Sequence, residues 1–346
     1  MNRAATIALV PLSAVYGLGV RIRNGLYRRG LRKTYDVAAP VISVGNLTTG
    51  GTGKTPLVEL LASRMAANGW RICVLTRGYR RNSSGRVIVA DNRVVLADVN
   101  EAGDEPLMLA ENLRGRAAVV CDKNRVAGAR WAIAALGSQL IILDDAFQHQ
   151  QIRRTVNIAV IDATNAFGNG RLLPAGRLRE PLTELRRADC VVITRANESE
   201  DPEGLRAQIE EIAGPIPVFT ANIKLAQVRQ LDQTRSANDV TDRKVAVASF
   251  CGIGNPKSFV TLLRREGYNV VYSCEFRDHH SYCQSDINQL DREASARGAQ
   301  ALITTTKDAV KLRSLAFDLP CYVVDASIQL EEPEAFFRFI DQMIQR

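Results

Sequence analysis

The sequence predicts an α/β protein of two domains, each a mainly parallel sheet layered between helices. Three observations carry that reading. At 346 residues the chain exceeds the size at which a single hydrophobic core keeps growing. Short apolar runs rich in β-branched residues alternate with helical patterns along nearly its whole length. Runs such as Leu140-Ile141-Ile142-Leu143 and Cys190-Val191-Val192-Ile193 are continuously apolar, the pattern of strands covered by helices on both faces.

Residues 1–35 form an N-terminal segment. It is almost wholly apolar from Ala4 to Val20, and Arg21, Arg23, Arg28, Arg29, Arg32 and Lys33 then follow with no acid before Asp36. The run is shorter than the ~20 residues of a spanning helix and contains Pro11, Gly17 and Gly19, so crossing a membrane is disfavoured. A cleaved signal would carry its basic residues ahead of the apolar run. Two readings stay open: a monotopic helix lying in an anionic lipid interface, or a first helix packed on the protein's own core.

Residues 36–225 read as the first domain, with strands in VISVG, RICVLTRG, RVIVAD, AAVVC, LIILDD, NIAVIDA, CVVITRA and PVFTANI, and helices over Pro56–Asn68, Asp104–Leu113 and Asn124–Leu136. A polar stretch, 226–243, breaks the rhythm and is expected to be a linker. Residues 244–346 restart it with VAVASF, VVYSCEF, ALITTT and CYVVDA, a smaller second domain.

Composition narrows the function classes. Hydrophobic residues at 46% and a mean hydropathy of -0.09 exclude a polytopic membrane protein. Seven cysteines without a C-x-x-C pair argue against a disulfide framework or a structural zinc site and fit a reducing compartment. A net charge of +8 favours an anionic partner: nucleic acid, phospholipid or a phosphorylated substrate. Without zinc-finger spacing, an RNA-binding aromatic signature or a lysine-rich tail, nucleic acid is not called as a partner. No obligate protein partner is inferred.

Between VISVG and the next helix lies Gly45-Asn46-Leu47-Thr48-Thr49-Gly50-Gly51-Thr52-Gly53-Lys54-Thr55, a glycine-rich turn in the strand-turn-helix context of a P-loop. Such a loop aims successive backbone N–H groups at phosphate oxygens, and the helix N-terminus adds positive potential. Thr48, Thr49, Gly50, Gly51, Thr52, Gly53, Lys54 and Thr55 are therefore the candidate nucleotide-binding residues. Lys54 would reach the β- and γ-phosphates, and Thr55 would offer its hydroxyl to Mg²⁺. Thr48 stands where the strict pattern has glycine, while the G-K-T end is intact. LIILDD reads as a second strand of the phosphate site, delivering Asp144 as a Mg²⁺ ligand and Asp145 beside it.

The nucleotide-driven activity is then narrowed by what is missing. Thr194-Arg195-Ala196-Asn197 lacks the lysine and aspartate of a guanine-reading motif, and Lys307 adjoins Asp308 directly, so a GTPase is disfavoured. An ATPase switch needs only a positioned water, whereas a kinase needs a base for an acceptor hydroxyl. Asp104 in GDEP, the pair His279-His280 in RDHHSY, and His149 are the candidates for that work.

GNLTTGGTGKTP, TRGYRR, GDEPLMLA, LDDAFQHQ, FGNGRLLPAGRLREPL, GIGNP, FRDHHSY and TTKDAVKL together resemble the tetraacyldisaccharide 4′-kinase family, the lipid A kinases of Gram-negative bacteria, over nearly the whole chain. The resemblance implies two α/β/α domains, the N-terminal one of P-loop NTPase type, with the site in the cleft between them. It implies ATP-dependent phosphorylation of the 4′-hydroxyl of an acylated disaccharide 1-phosphate to lipid IVA, at the cytoplasmic face of the bacterial inner membrane, by a peripheral or monotopic enzyme. Carried onto this chain, it makes Lys54 and Thr55 the phosphate and Mg²⁺ ligands, Asp144 and Asp145 the acidic pair, Asp104 the base, and His279 the residue that orients or polarises it. His280 is the alternative to His279. Glu105 is counted with Thr55, Asp144 and Asp145 as a candidate metal ligand. Arg77, Arg80, Arg171 and Arg179 are candidates for holding substrate phosphate. Thr49, Ala146, Arg177 and Thr306 depart from the family's usual Val, Gly, Pro and Glu.

Overall fold

A computed structural model describes residues 9–231 and 243–345. An N-terminal helix α1 (Val10–Arg28) precedes β1 (Val41–Gly45), and the phosphate loop then opens α2 (Lys54–Ala67). There follow β2 (Ile72–Thr76), β3 (Val87–Asp91), α3 (Val99–Ala102), α4 (Asp104–Asn112), β4 (Ala117–Cys121), α5 (Arg125–Leu136), β5 (Leu140–Asp144), β6 (Val156–Asp162), β7 (Cys190–Thr194) and α6 (Pro202–Ala213). The long β8 (Val218–Gln230) leads into the second half: β9 (Ala246–Cys251), α7 (Pro256–Arg265), β10 (Asn269–Glu275), α8 (Gln284–Ala296), β11 (Ala301–Thr305), α9 (Thr306–Ala309), β12 (Cys321–Leu330) and α10 (Pro333–Gln345).

Every apolar run expected to be a strand is one. All five residues are buried in each of β1, β2, β4, β5 and β7, as their unbroken hydrophobicity requires. Local chemistry fixes the helix ends. The Asn124 side chain accepts from Ala127 N and caps α5, which stops at Gly137 in the left-handed region; Asn255, followed by Pro256, caps α7.

The strands form one sheet in the order β10-β9-β11-β12-β8-β7-β6-β1-β5-β2-β4-β3. Pairing is parallel except at β3–β4 and β8–β12. The second exception shapes the molecule. The start of β8 continues the first parallel block (Thr194↔Ala221), and the rest pairs antiparallel with β12, from Leu330↔Ala221 to Tyr322↔Gln230. The second block is thereby carried beyond the carboxyl edge of the first and runs back toward it, so the two carboxyl edges face each other across a cleft. In open α/β sheets, that edge is where ligands bind.

Residues 226–230 of the expected linker are strand, their polar side chains lying on a half-exposed antiparallel ribbon. Residues 232–242 of that stretch and 1–8 of the N-terminal segment lie outside the described residues.

Helix α1 packs through Ser13, Gly17, Val20 and Asn24. Ser13 Oγ donates to Leu172 O (2.8 Å) and accepts from Ala175 N (2.9 Å), Tyr16 OH donates to Arg179 O (2.8 Å), and the buried Glu180 carboxylate pairs with Arg23 and Arg187. The opposite face presents Leu12, Val15, Leu18 and Ile22, exposed by 55–70%. The helix thus packs on the protein through its polar, small-residue face and turns its apolar face outward, the reverse of an ordinary surface helix. No described helix is long and apolar enough to cross a membrane.

Candidate active site

The cleft between the carboxyl edges holds a cavity of about 900 Å³ lined by the phosphate loop, β5, the start of α4, the His279 loop and α9. Its floor is the phosphate loop. Gly53, left-handed at φ 80, lets the chain turn from loop into α2 without a Cβ penalty. From below, Thr194 Oγ1 donates to Thr52 O (2.9 Å) and Arg195 Nη1 to Gly51 O (3.3 Å), with Arg195 itself anchored on Asp162 (2.6 Å). Asn46 Nδ2 donates to Thr52 Oγ1 (3.1 Å). Thr49 to Thr55 line the cavity; Thr48 is buried beneath it, bridged to Leu178.

At the end of β5 the two aspartates part company. Asp145, at φ 47, accepts from Arg179 Nη1 with both oxygens (3.0 and 2.9 Å) and lies 3.6 Å from Lys54 Nζ. Burial would raise its carboxyl, but Lys54 and Arg179 outweigh that and hold it at about 2. Asp144 is buried and its Oδ1 has no hydrogen-bond partner. Burial first, then the charges of Glu105 and Asp145, push it up to about 7. A carboxylate oxygen left unpaired in a low dielectric beside a phosphate loop fits a divalent cation, because it is costly without one. Among the described residues no three or more His, Cys, Asp or Glu are grouped so as to hold a metal ion by themselves. They offer Asp144 and the Thr55 hydroxyl, and Mg²⁺ commonly takes only one or two carboxylates, with substrate phosphates and water completing its shell. Glu105 lines the same cavity, with its Oε1 2.8 Å from Lys307 Nζ.

The facing wall joins the two halves of the chain. Asp104, the first residue of α4, meets His279 Nδ1 at 2.9 and 2.8 Å through its two oxygens, across 175 residues of sequence. Burial alone would raise the Asp104 carboxyl, but the His279 hydrogen bond and the charges of Lys307 and Lys311 bring it down to about 2, so it is an anion at neutral pH. His279 lines the cavity and Asp104 lies behind it. His280 turns away, to Asp286 Oδ2 (2.9 Å) and a stack on Phe276.

Of the four arginines, Arg77, Arg80 and Arg179 line the cavity, and Arg171 is exposed outside it. His149 lines it too. Burial and the nearby Arg125, Arg154 and Arg77 push its imidazole down to about 4, and its Nε2 has no partner. Residues not singled out from the sequence complete the site. Arg195 supports the phosphate loop. Arg125 Nη1 donates to Asp122 O (2.7 Å) and its Nη2 lies 3.4 Å from Asp144 O; Lys307 bridges the halves. Arg195 is legible in the sequence by its place directly after a buried strand, and Lys307 by its place in TTKDAVKL; Arg125 carried no such signal.

A phosphate loop facing an Asp–His pair across a cleft defines a P-loop phosphotransferase that serves an acceptor hydroxyl. A family model, tetraacyldisaccharide-1-P 4′-kinase, matches residues 5–345, and the chain belongs to that family. The tetraacyldisaccharide 4′-kinase of Geobacter sulfurreducens is 40% identical over 334 residues, covering 96% of this chain and 92% of that protein. That of Geobacter metallireducens is 37% identical, covering 99% and 100%. A crystal structure of LpxK from Aquifex aeolicus in complex with ATP matches with a TM-score of 0.77 at 30% identity, covering 98% of this chain and 99% of that one.

Proposed function

We propose that this chain transfers the γ-phosphoryl group of ATP to the 4′-hydroxyl of tetraacyldisaccharide 1-phosphate, giving lipid IVA, at the cytoplasmic face of the bacterial inner membrane. The observation that carries the proposal is the cleft in which the phosphate loop faces an Asp104–His279 pair built from opposite halves of the chain. In this reading residues 36–225 are the nucleotide domain, 244–346 the smaller domain that brings His279, and 1–35 the membrane-associating segment.

The loop from Thr49 to Thr55 cradles the phosphates with backbone N–H groups, Thr48 supports it from beneath, and Lys54 neutralises charge on the transferring group. Arg179 holds Asp145 as an anion, and Asp145 in turn holds Lys54 at the loop. Thr55 and Asp144 are the residues that would hold Mg²⁺, which supplies charge neutralisation on the phosphates when bound. The 4′-oxygen attacks the γ-phosphorus, the bond from that phosphorus to the β–γ bridging oxygen breaks, and ADP leaves. The hydroxyl proton passes to the Asp104–His279 pair acting as a unit, with Asp104 as the anion that draws it. Arg77, Arg80 and the neutral His149 are disposed for the acceptor's phosphate and sugar hydroxyls.

The outward apolar stripe of α1, flanked by Arg21, Arg29, Arg32 and Lys33, supports seating on an anionic bilayer that presents the acylated acceptor. Arg23 turns instead to the buried Glu180, while Arg28, 3.6 Å from Glu184, stays largely exposed. The test is γ-labelled ATP with tetraacyldisaccharide 1-phosphate in micelles: the label is expected in the lipid. Label appearing only as free phosphate would point instead to an ATPase switch.

A further inference from the structure

Lys307, the second residue of α9, sits at the seam between the halves. Its side chain is 13% exposed, and its ammonium nitrogen lies 2.8 Å from Glu105 Oε1 on α4, 3.0 Å from Asp278 Oδ1 and 3.3 Å from His279 Nε2. An ammonium carries three N–H donors and no acceptor, and here it faces three acceptors. In a neutral ring that donates its Nδ1–H to Asp104, Nε2 is the lone-pair nitrogen that faces this ammonium. The ring is thus held from both sides, by Asp104 on one nitrogen and Lys307 on the other.

The loop bearing His279 needs such fixing. His279 itself is at φ 60, a conformation that costs an L-residue free energy and persists only where neighbours enforce it. The loop's backbone contacts include His279 N to Gly252 O (3.1 Å) and His280 N to Arg277 O (2.9 Å), within the second half, and Arg80 to Asp278 O (3.1 Å) across the cleft. Lys307 adds the side-chain strut, joining Glu105 of the first half to Asp278 and the imidazole of the second. Lys311, on the next turn, lies 3.6 Å from Asp104 Oδ2 and is held by Asp308 (3.0 Å).

We propose that Lys307 is a positioning residue for phosphoryl transfer: by bridging Glu105 and Asp278 it seats the His279 ring on Asp104. The proposal rests on the reading of Asp104 and His279 as the proton-accepting pair. It is tested by kcat, the KM for ATP and nucleotide affinity in Lys307→Met, His279→Ala and the double variant. A misplaced reacting group costs ~10²-fold, so Lys307→Met is expected to lower kcat by that order while the KM for ATP and the nucleotide affinity stay within about threefold. The double variant is expected to be no slower than His279→Ala alone, because Lys307 acts through that ring. Penalties that multiply in the double variant, a full kcat in Lys307→Met, or a loss carried mainly in nucleotide affinity would each overturn the proposal. A silent His279→Ala would instead remove the pair on which it rests. Lys307→Gln, which keeps a polar end without the charge, provides the same comparison if the methionine variant melts early.

Discussion

Gly254 is the point where the second half touches the phosphate loop, and Gly254→Ala probes that contact. A Cβ there would lie 2.8 Å from Gly51 N and 3.3 Å from the Cα and C of Gly50, about 0.6 Å inside the 3.4 Å at which ordinary contact begins. Both walls are backbone, so neither can swing aside; the GIGNP loop and the phosphate loop must separate by about that distance. Gly254 is not among the positive-φ glycines, so alanine adds no dihedral strain of its own. Misplacement by 1 Å costs on the order of 10²-fold, and 0.6 Å should lower kcat/KM by ~10–10²-fold, or ~1.4–2.7 kcal/mol of transition-state stabilisation. Global stability should change by less than ~1 kcal/mol, since the loop lies at the cleft rim and no core is disturbed. Steady-state kinetics with ATP varied, beside a thermal melt, separates the two effects. Wild-type kcat/KM in a well-folded Gly254→Ala would mean that the loops do not approach during turnover as they do here, and the geometry of the nucleotide site would have to be redrawn.

Three further outcomes follow from the same structure. Lys54→Ala should lower kcat by ~10³-fold or more in a protein that melts normally, since it removes a charge on the transferring group and no core contact; near-normal turnover would dissolve the phosphate-loop assignment. Glu180→Ala removes the carboxylate shared by Arg23 and Arg187 beneath α1 and should cost ~3 kcal/mol in urea unfolding, toward the low end for a broken buried pair because Arg23 is one-third exposed and can rehydrate and Arg187 keeps Glu184 at 3.3 Å; no change would mean that α1 is held by its other contacts alone. His149, held near 4 when folded against 6.5 unfolded, makes the unfolded chain the better proton binder, so its contribution erodes as pH falls from about 6.5 to about 4, by up to ~1.4 kcal/mol per unit. Glu59 and Asp144, both pushed up to about 7, tilt stability the other way, so the check is the difference between wild type and His149→Gln across that window; parallel curves would refute it.

The strands were legible because burial on both faces writes itself as unbroken apolar runs, and the phosphate loop because glycine spacing and a basic residue at a helix start are local. The joint between the halves was not. Whether β8 pairs parallel or antiparallel with β12 is decided by partners about a hundred residues apart, and its polar second half read as linker. Likewise Asp104 and His279 were named from motifs, but their contact spans 175 residues, and Lys307 meets Glu105 across 202. No spacing rule reaches that far. Helix α1 misleads in the opposite way: its apolar residues look like core, and they face outward because Ser13, Gly17 and Asn24 suit the polar loop beneath.

The central claim is that one wall of the cleft binds nucleotide and the other accepts the proton, and Asp104→Ala tests it most directly. Nucleotide affinity and kcat for lipid phosphorylation should be measured on the same preparation. The account predicts affinity within about threefold of wild type and kcat lower by ~10²–10⁴-fold, the range for a positioned general base. A kcat near wild type, or a loss that appears equally in nucleotide affinity, would contradict it.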